Sequence, residues 1–151
     1  MSKPIHVLNG PNLNLLGRRE PHIYGSATLA DVEASCHERA RALGHAVVFR
    51  QTNHEGQMVD WIQEAIDGAA GIVINAGALT HTSVAVHDAL RNVKCPIIEL
   101  HISNPHQREP FRHLSYVTPV ATAMISGMGT EGYPLAIESM DILLRKARAK
   151  A

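Results

Sequence analysis

The chain has 151 residues, about the length of one domain, and 45% of them are hydrophobic, as in globular proteins. Its 14 basic and 14 acidic residues give a formal net charge of zero, which argues against a surface built for nucleic acid or anionic membranes. No apolar run approaches the roughly 18–20 residues of a membrane span, and no secretory signal pattern is seen. Two cysteines are too few for a disulfide framework and favour a cytoplasmic setting. We expect one cytoplasmic domain over residues 1–151.

Short apolar runs alternate with amphipathic stretches along the chain. The runs predict strands at 5–9, 46–50, 71–75, 97–101 and 121–126. Helices are predicted from Thr28 to Leu43, from an N-capping Asn53 to Gly68, from Thr82 or Ser83 to about Val93, and from Tyr133 or Pro134 into the basic C-terminus. Parallel strands need crossovers, and right-handed crossovers cover both faces of a sheet. We therefore predict a three-layer αβα fold with a five-stranded parallel sheet, of the flavodoxin-like type.

Polar side chains follow the predicted strands at the point where each strand ends. Asn12 comes after the first strand, Asn75 ends the third and His81 follows it, and Glu99 and His101 lie at the end of the fourth. In open α/β sheets, ligands bind beyond the carboxyl ends of the strands. Amides, hydroxyls and imidazoles suit a polyhydroxylated or carboxylated small molecule, whereas a divalent metal ion would prefer carboxylates.

The segment from Gly10 to Ser26 is longer than an ordinary connection between a strand and a helix, which is typical of a lid or a binding loop. It carries Arg18, Arg19 and Tyr24. A neighbouring guanidinium favours the tyrosinate form, which would make Tyr24 a candidate general base. Packing of a tyrosine beside an arginine at the surface is the alternative interpretation.

Three segments resemble the motifs of a known family. Asn9-Gly-Pro-Asn-Leu-Asn-Leu-Leu-Gly-Arg-Arg-Glu-Pro-His-Ile-Tyr-Gly25 is similar to the N-terminal signature of the type II 3-dehydroquinate dehydratases. Asn75-Ala-Gly-Ala-Leu-Thr-His-Thr-Ser83 and Glu99-Leu-His-Ile-Ser-Asn104 look like the second and third motifs of that family. The resemblance implies a lyase that dehydrates 3-dehydroquinate to 3-dehydroshikimate by anti elimination through an enolate. It implies no cofactor and no metal, and it leaves open whether the reaction serves the shikimate pathway or quinate breakdown.

The resemblance also implies catalytic roles for particular residues. Tyr24 would be the base, acting as tyrosinate, and Arg19 would stabilise that anion. Asn12 would stabilise the enolate through a water molecule. His101 would protonate the departing hydroxyl, and Glu99, which shares its face of the strand, would orient that imidazole.

Substrate binding and assembly are implied in the same way. Asn75, His81 and Arg112 would hold the hydroxyls and the carboxylate of the substrate, together with the backbone amides of Ile102 and Ser103. Asp88 would reach the active site of a neighbouring subunit. The family forms a dodecamer built as a tetramer of trimers, so we expect a homo-oligomer without a nucleic-acid or membrane partner.

Other classes of protein fit the sequence less well. A flavin-binding module would need a phosphate-binding loop rich in serine, threonine and glycine, and a phospho-acceptor domain would need acidic residues where Asn9 and Asn75 end their strands. A non-catalytic relative would not need Arg19, Tyr24 and His101 together. Histidine pairs such as His81 and His87 could be metal ligands, but they lack the spacing of a known helical zinc motif.

Overall fold

The protein is described by a computed structural model over residues 2–151. The strands are β1 (Ile5–Asn9), β2 (Val47–Gln51), β3 (Gly71–Asn75), β4 (Ile97–His101) and β5 (Ala123–Ser126). The helices are α1 (Pro21–Tyr24), α2 (Leu29–Ala42), α3 (Glu55–Gly68), α4 (Val84–Leu90) and α5 (Gly132–Lys150). All strand pairs are parallel, in the order β2-β1-β3-β4-β5. This is the flavodoxin-like order, and it confirms the predicted fold class.

Alternate residues of the central strands supply the two halves of the core. Val7 of β1 and Val73 of β3 pack toward α2 and α5, whereas Leu8 and Ile74 pack toward α3 and α4. Successive side chains of a strand point to opposite faces, so strands that are apolar throughout need helices on both sides. Among residues 2–151, no helix combines the length and the apolar character needed to cross a membrane.

Some predicted boundaries differ from those in the structure. Helix α2 was predicted from Thr28, which is the N-cap residue in the structure and forms a capping box with Asp31. The prediction that Asn53 caps the next helix was wrong, because α3 starts after His54 and the side chain of Asn53 instead accepts a hydrogen bond from the backbone N–H of Asn12 at 3.0 Å. Helix α4 ends at Leu90 rather than near residue 93, and β5 begins only at Ala123, after a 3₁₀ turn.

Two loops approach each other closely where β1 and β3 end. A Cβ atom on Gly10 would lie 2.2 Å from the carbonyl oxygen of Ala76. Gly77 has a φ of +58°, and a Cβ atom there would lie 3.0 Å from the carbonyl oxygen of Pro11. Only glycine fits both positions without moving the backbone. This contact brings the residues that follow β1 and β3 to the same edge of the sheet.

Candidate active site

A cavity of about 170 Å³ lies at the carboxyl edge of the sheet, where β1, β3 and β4 end. In the flavodoxin-like order, β1 and β3 flank the point at which ligands bind. The cavity brings together nine of the eleven predicted site residues, namely Asn12, Arg19, Tyr24, Asn75, His81, His101, Ile102, Ser103 and Arg112. Glu99 lies directly behind His101, and Asp88 does not line this cavity.

His101 and Glu99 form a buried pair on one face of β4. The Nε2 atom of His101 lies 2.6 Å from a carboxylate oxygen of Glu99, whose side chain is 1% exposed. A carboxylate can only accept, so the imidazole donates from Nε2 and Nδ1 is left for the cavity. Ser115 and Thr118 donate to the same carboxylate at 2.7 and 2.6 Å. Burial would raise the pKa of Glu99, but the hydrogen bonds from His101, Thr118 and Ser115 outweigh burial and lower it.

His81 lies beside His101 and presents a single nitrogen to the cavity. Its Nδ1 atom lies 2.7 Å from the carbonyl oxygen of Leu114, so Nδ1 carries the proton. The two imidazoles are stacked with their centres 6.3 Å apart. Burial lowers the pKa of His81 from its ordinary value of 6.5. His81 is therefore neutral at pH 7, and its Nε2 atom can accept a hydrogen bond from a hydroxyl group.

Tyr24 is held between two arginines. The guanidinium of Arg19 lies 5.2 Å from the centre of the tyrosine ring, and that of Arg108 lies 5.4 Å from it. Arg108 also donates a hydrogen bond to the hydroxyl oxygen of Tyr24 at 2.9 Å and to Oγ of Ser103 at 3.2 Å. Two guanidinium groups therefore lie against Tyr24, and one of them is hydrogen-bonded to its hydroxyl oxygen.

The remaining predicted residues surround the same space. Arg112 donates from Nε to Glu109 at 3.1 Å, which leaves its terminal nitrogens for the cavity. Ile102 and Ser103 follow the last residue of β4, and Asn12 has a left-handed backbone with a φ of +70°. Asparagine tolerates that conformation better than most residues. The cavity lining thus includes three arginines and no aspartate or glutamate, so it suits an anionic ligand.

Comparison with known proteins agrees with the resemblance seen in the motifs. The family model described as "Dehydroquinase class II" matches residues 3–141. The chain belongs to this family. The 3-dehydroquinate dehydratase 2 of Ralstonia nicotianae is 59% identical over 141 residues, which cover 90% of this chain and 92% of that protein. The 3-dehydroquinate dehydratase of Rhizobium meliloti is 53% identical over 148 residues, with coverages of 98% and 100%.

A solved structure supports the same family assignment. The crystal structure of the type II dehydroquinase from Propionibacterium acnes matches with a TM-score of 0.90 at 48% identity. The match covers 94% of this chain and 98% of that chain. The type II dehydroquinase resemblance predicted from the three motifs is therefore confirmed.

In this class II dehydroquinase, the hydrogen bond from Arg108 to Tyr24 was not predicted from the sequence. The residue is 84 positions from Tyr24 in the chain, so no local pattern connects them. The only signal was its place in a polar loop between His106 and His113, which also contains Arg112. A short helix, α1, also runs from Pro21 to Tyr24 inside the loop that was predicted to be a lid or a binding loop.

Two predicted site residues do not line the cavity of this class II dehydroquinase: Glu99, which contacts the lining residue His101, and Asp88. Asp88 lies on α4 with an exposed side chain. A second cavity, of about 320 Å³, adjoins the first and shares four lining residues with it, His81, His101, Pro105 and Arg112. Among residues 2–151, no group of three or more histidine, cysteine, aspartate and glutamate side chains could hold a metal ion.

Proposed function

We propose that this class II dehydroquinase removes water from 3-dehydroquinate to give 3-dehydroshikimate, with Tyr24 as the base and His101 as the acid. The observation that carries the proposal is the pairing of these two groups around one cavity. Tyr24 is hydrogen-bonded to a guanidinium, and His101 is backed by a buried carboxylate. A β-hydroxy ketone that loses water needs one group of each kind.

The first half of the reaction is loss of the proton next to the ketone. The tyrosinate oxygen of Tyr24 takes this proton, and the electron pair of the C–H bond forms an enolate. Arg108 and Arg19 stabilise the tyrosinate before the step. Asn12, which lines the same cavity, stabilises the enolate oxygen through a bridging water molecule.

The second half is loss of the β-hydroxyl. The enolate collapses to the conjugated enone as the C–O bond breaks, and His101 gives its Nδ1 proton so that water leaves rather than hydroxide. Glu99 stabilises the imidazolium that precedes this transfer, because its carboxylate accepts the Nε2–H bond at 2.6 Å. Exchange with solvent then returns one proton to His101 and removes one from Tyr24.

Substrate recognition follows from the charges and hydrogen-bonding groups around the cavity. Arg112 and the backbone of Ile102 and Ser103 bind the ring carboxylate, in line with the cationic lining. Neutral His81 and the amide of Asn75 bind the hydroxyl groups. The 170 Å³ of the cavity suits a small molecule.

We extend the proposal to assembly as a dodecamer of four trimers. Leu114 and Met124, which line the second cavity, are 55% and 50% exposed, and Phe111, which precedes Arg112 in the chain, is 64% exposed. Exposed apolar groups that cluster in this way mark contact surfaces. A neighbouring subunit on this surface would cover the second cavity, and its Asp88 would approach the Arg112 side of the site. Sedimentation at assay concentration tests this, because an active monomer would contradict it.

We place the enzyme in the cytoplasm, in either the shikimate pathway or quinate breakdown. Cys36 and Cys95 are both free. Burial raises the pKa of the Cys36 thiol to about 12, so this thiol stays protonated. Free thiols are the usual state of cysteines in a reducing compartment.

A direct assay tests the proposed reaction. The purified chain is mixed with 3-dehydroquinate in the presence of a chelator, and the ultraviolet absorbance of the conjugated enone is followed. We expect absorbance to rise at a rate proportional to enzyme concentration. No rise with a folded, assembled protein would contradict the proposed function.

A further inference from the structure

Tyr133 lies under the cavity and does not line it. It is the second residue of α5 and is 1% exposed. Its ring packs against that of Phe49, with the ring centres 6.4 Å apart. Its hydroxyl group lies between the side chains of Asn9 and Asn75, which end the neighbouring strands β1 and β3. A phenylalanine could pack in the same way, but it could not make the hydrogen bonds of the hydroxyl group.

Four hydrogen bonds connect these groups into one chain. The amide Nδ2 of Asn9 donates to the carbonyl oxygen of Arg50 at 3.0 Å. The hydroxyl group of Tyr133 donates to Oδ1 of Asn9 at 2.7 Å, and Nδ2 of Asn75 donates to the hydroxyl oxygen at 2.9 Å. The backbone N–H of Gly77 donates to Oδ1 of Asn75 at 3.3 Å.

The direction of this chain is fixed at both ends by backbone groups. The carbonyl of Arg50 can only accept, so Asn9 must present Nδ2 to it and Oδ1 to Tyr133. The Tyr133 hydroxyl has one hydrogen, which it gives to Asn9, so toward Asn75 it can only accept. The amide of Asn75 must then present Nδ2 to Tyr133 and Oδ1 to the N–H of Gly77.

We propose that Tyr133 is a positioning residue that fixes the orientation of the Asn75 amide for binding of the substrate hydroxyls. The proposal rests on the proposed function, in which Asn75 contacts the substrate. After its two internal hydrogen bonds, Asn75 keeps one N–H and one oxygen lone pair. An amide that can flip would present the wrong atom to a substrate hydroxyl for part of the time. The hydroxyl group of Tyr133 removes that freedom without touching the substrate.

Tyr133 acts as a neutral group throughout. Burial raises the pKa of Tyr133 well above its ordinary value of 10, so it does not titrate in the working range of the enzyme. A loss of its hydroxyl group should therefore leave the shape of the pH–rate profile unchanged. Because the contact to substrate through Asn75 is present before and during the reaction, the loss should appear in KM rather than in kcat.

The test is Tyr133→Phe, which removes one oxygen atom and keeps the ring. We expect KM for 3-dehydroquinate to rise about 3- to 10-fold, the range for one neutral hydrogen bond, with kcat within about twofold of the wild type. In an Asn75→Ala background the same substitution should leave KM unchanged, because there is no amide left to orient. Ile137→Val, at a buried position one turn along α5, is the control for a small packing loss and should leave KM unchanged.

A second variant covers the case in which Tyr133→Phe does not fold. Asn9→Ala removes the group that receives the hydroxyl hydrogen but keeps Tyr133 and Asn75 in contact. The hydrogen can then point either way, and we expect KM to rise in the same direction by a smaller factor. Unchanged KM in whichever of the two variants folds, or a KM effect that persists without Asn75, would overturn the role of Tyr133. A wild-type chain without turnover would instead overturn the proposed function, and this role with it.

Discussion

The hydroxyl oxygen of Tyr24 accepts a hydrogen bond from Arg108 at 2.9 Å, although the two residues are 84 positions apart in the chain. Arg108 also donates to Ser103, and its side chain is 14% exposed. Arg19, which follows β1 in the same loop as Tyr24, lies over the tyrosine ring and pairs with exposed Glu20 at 3.5 Å. The two arginines therefore act on Tyr24 in different ways.

This difference predicts unequal effects of the two arginines on turnover. Arg108→Ala removes a direct, charge-assisted hydrogen bond to the proposed base, and we expect kcat to fall by on the order of 100-fold. Arg19→Ala removes a more exposed charge that acts on the ring face, so its kcat should fall less. Steady-state kinetics of both variants check this, with exposed Arg148→Ala as the control. A larger loss for Arg19 than for Arg108 would contradict the assignment.

Glu99→Gln tests the buried pair behind the proposed acid. Glutamine keeps the shape but loses the carboxylate charge beside His101, which in the proposed mechanism stabilises the imidazolium. We expect kcat to fall by on the order of 100-fold with little change in KM, since the acid acts in the transition state. In a His101→Ala background the same substitution should have almost no further effect on kcat. Exposed Glu131→Gln is the control, and full activity of Glu99→Gln would argue against the acid role.

Gly10→Ala should disturb the edge of the sheet at which the site is built. The new Cβ atom would lie 2.2 Å from the backbone oxygen of Ala76, so the loops after β1 and β3 must separate. We expect a loss of about 1–3 kcal/mol in the free energy of unfolding together with reduced activity. Gly56→Ala in α3 is a matched control, because beyond its chain neighbours and the backbone of its own helix no atom lies within 4 Å of the added Cβ. Urea unfolding and the enone assay on both variants test this. If the two variants had the same free energy of unfolding and the same activity, the proposed clash at Gly10 would be contradicted.

The hydrogen bonds of Asp141, a residue of α5 that does not line the cavity, predict a pH dependence of the free energy of unfolding. It accepts hydrogen bonds from His45 at 2.7 Å and from Arg145 at 2.9 Å. These two bonds hold the pKa of Asp141 below its ordinary value of 3.8, and the bond from His45 has the larger effect. A carboxyl group whose pKa is lower in the folded state stabilises the fold above its unfolded pKa. That stabilisation is lost as the pH falls through the folded pKa.

We therefore expect Asp141→Asn to lower the free energy of unfolding at pH 7, and the difference from the wild type to shrink below about pH 4. Urea unfolding at several pH values measures this difference. Exposed Asp67→Asn should show no such dependence. A difference between wild type and Asp141→Asn that is the same at pH 7 and pH 3 would show that the carboxylate charge does not contribute.

The sequence could predict the sheet and its two helical layers because those depend on local periodicity. All five strands and the four long helices appear near the predicted positions, since buried strands and amphipathic helices carry their pattern within a few residues. Asn53 shows the limit of that reasoning. Asparagine often caps helices, but here a residue 41 positions away, Asn12, uses its side chain instead.

The same distinction between local patterns and long-range contacts applies to the residues of the candidate site. Residues within the three motifs, such as Tyr24, Asn75 and His101, could be chosen from the sequence, and the fold brings them to one cavity. Arg108 and Tyr133 could not be assigned, because their contacts to Tyr24 and Asn75 join distant parts of the chain. Such pairings depend on how the loops and α5 pack at the end of the sheet, which local sequence patterns do not encode.

The most direct test of the central claim is the enone assay on Tyr24→Phe beside Tyr116→Phe. Both variants lose one phenolic oxygen, but only Tyr24 lines the cavity. We expect Tyr24→Phe to fold and assemble normally and to form no measurable enone, while Tyr116→Phe keeps close to the wild-type rate. A near-normal rate for Tyr24→Phe would contradict its role as the base.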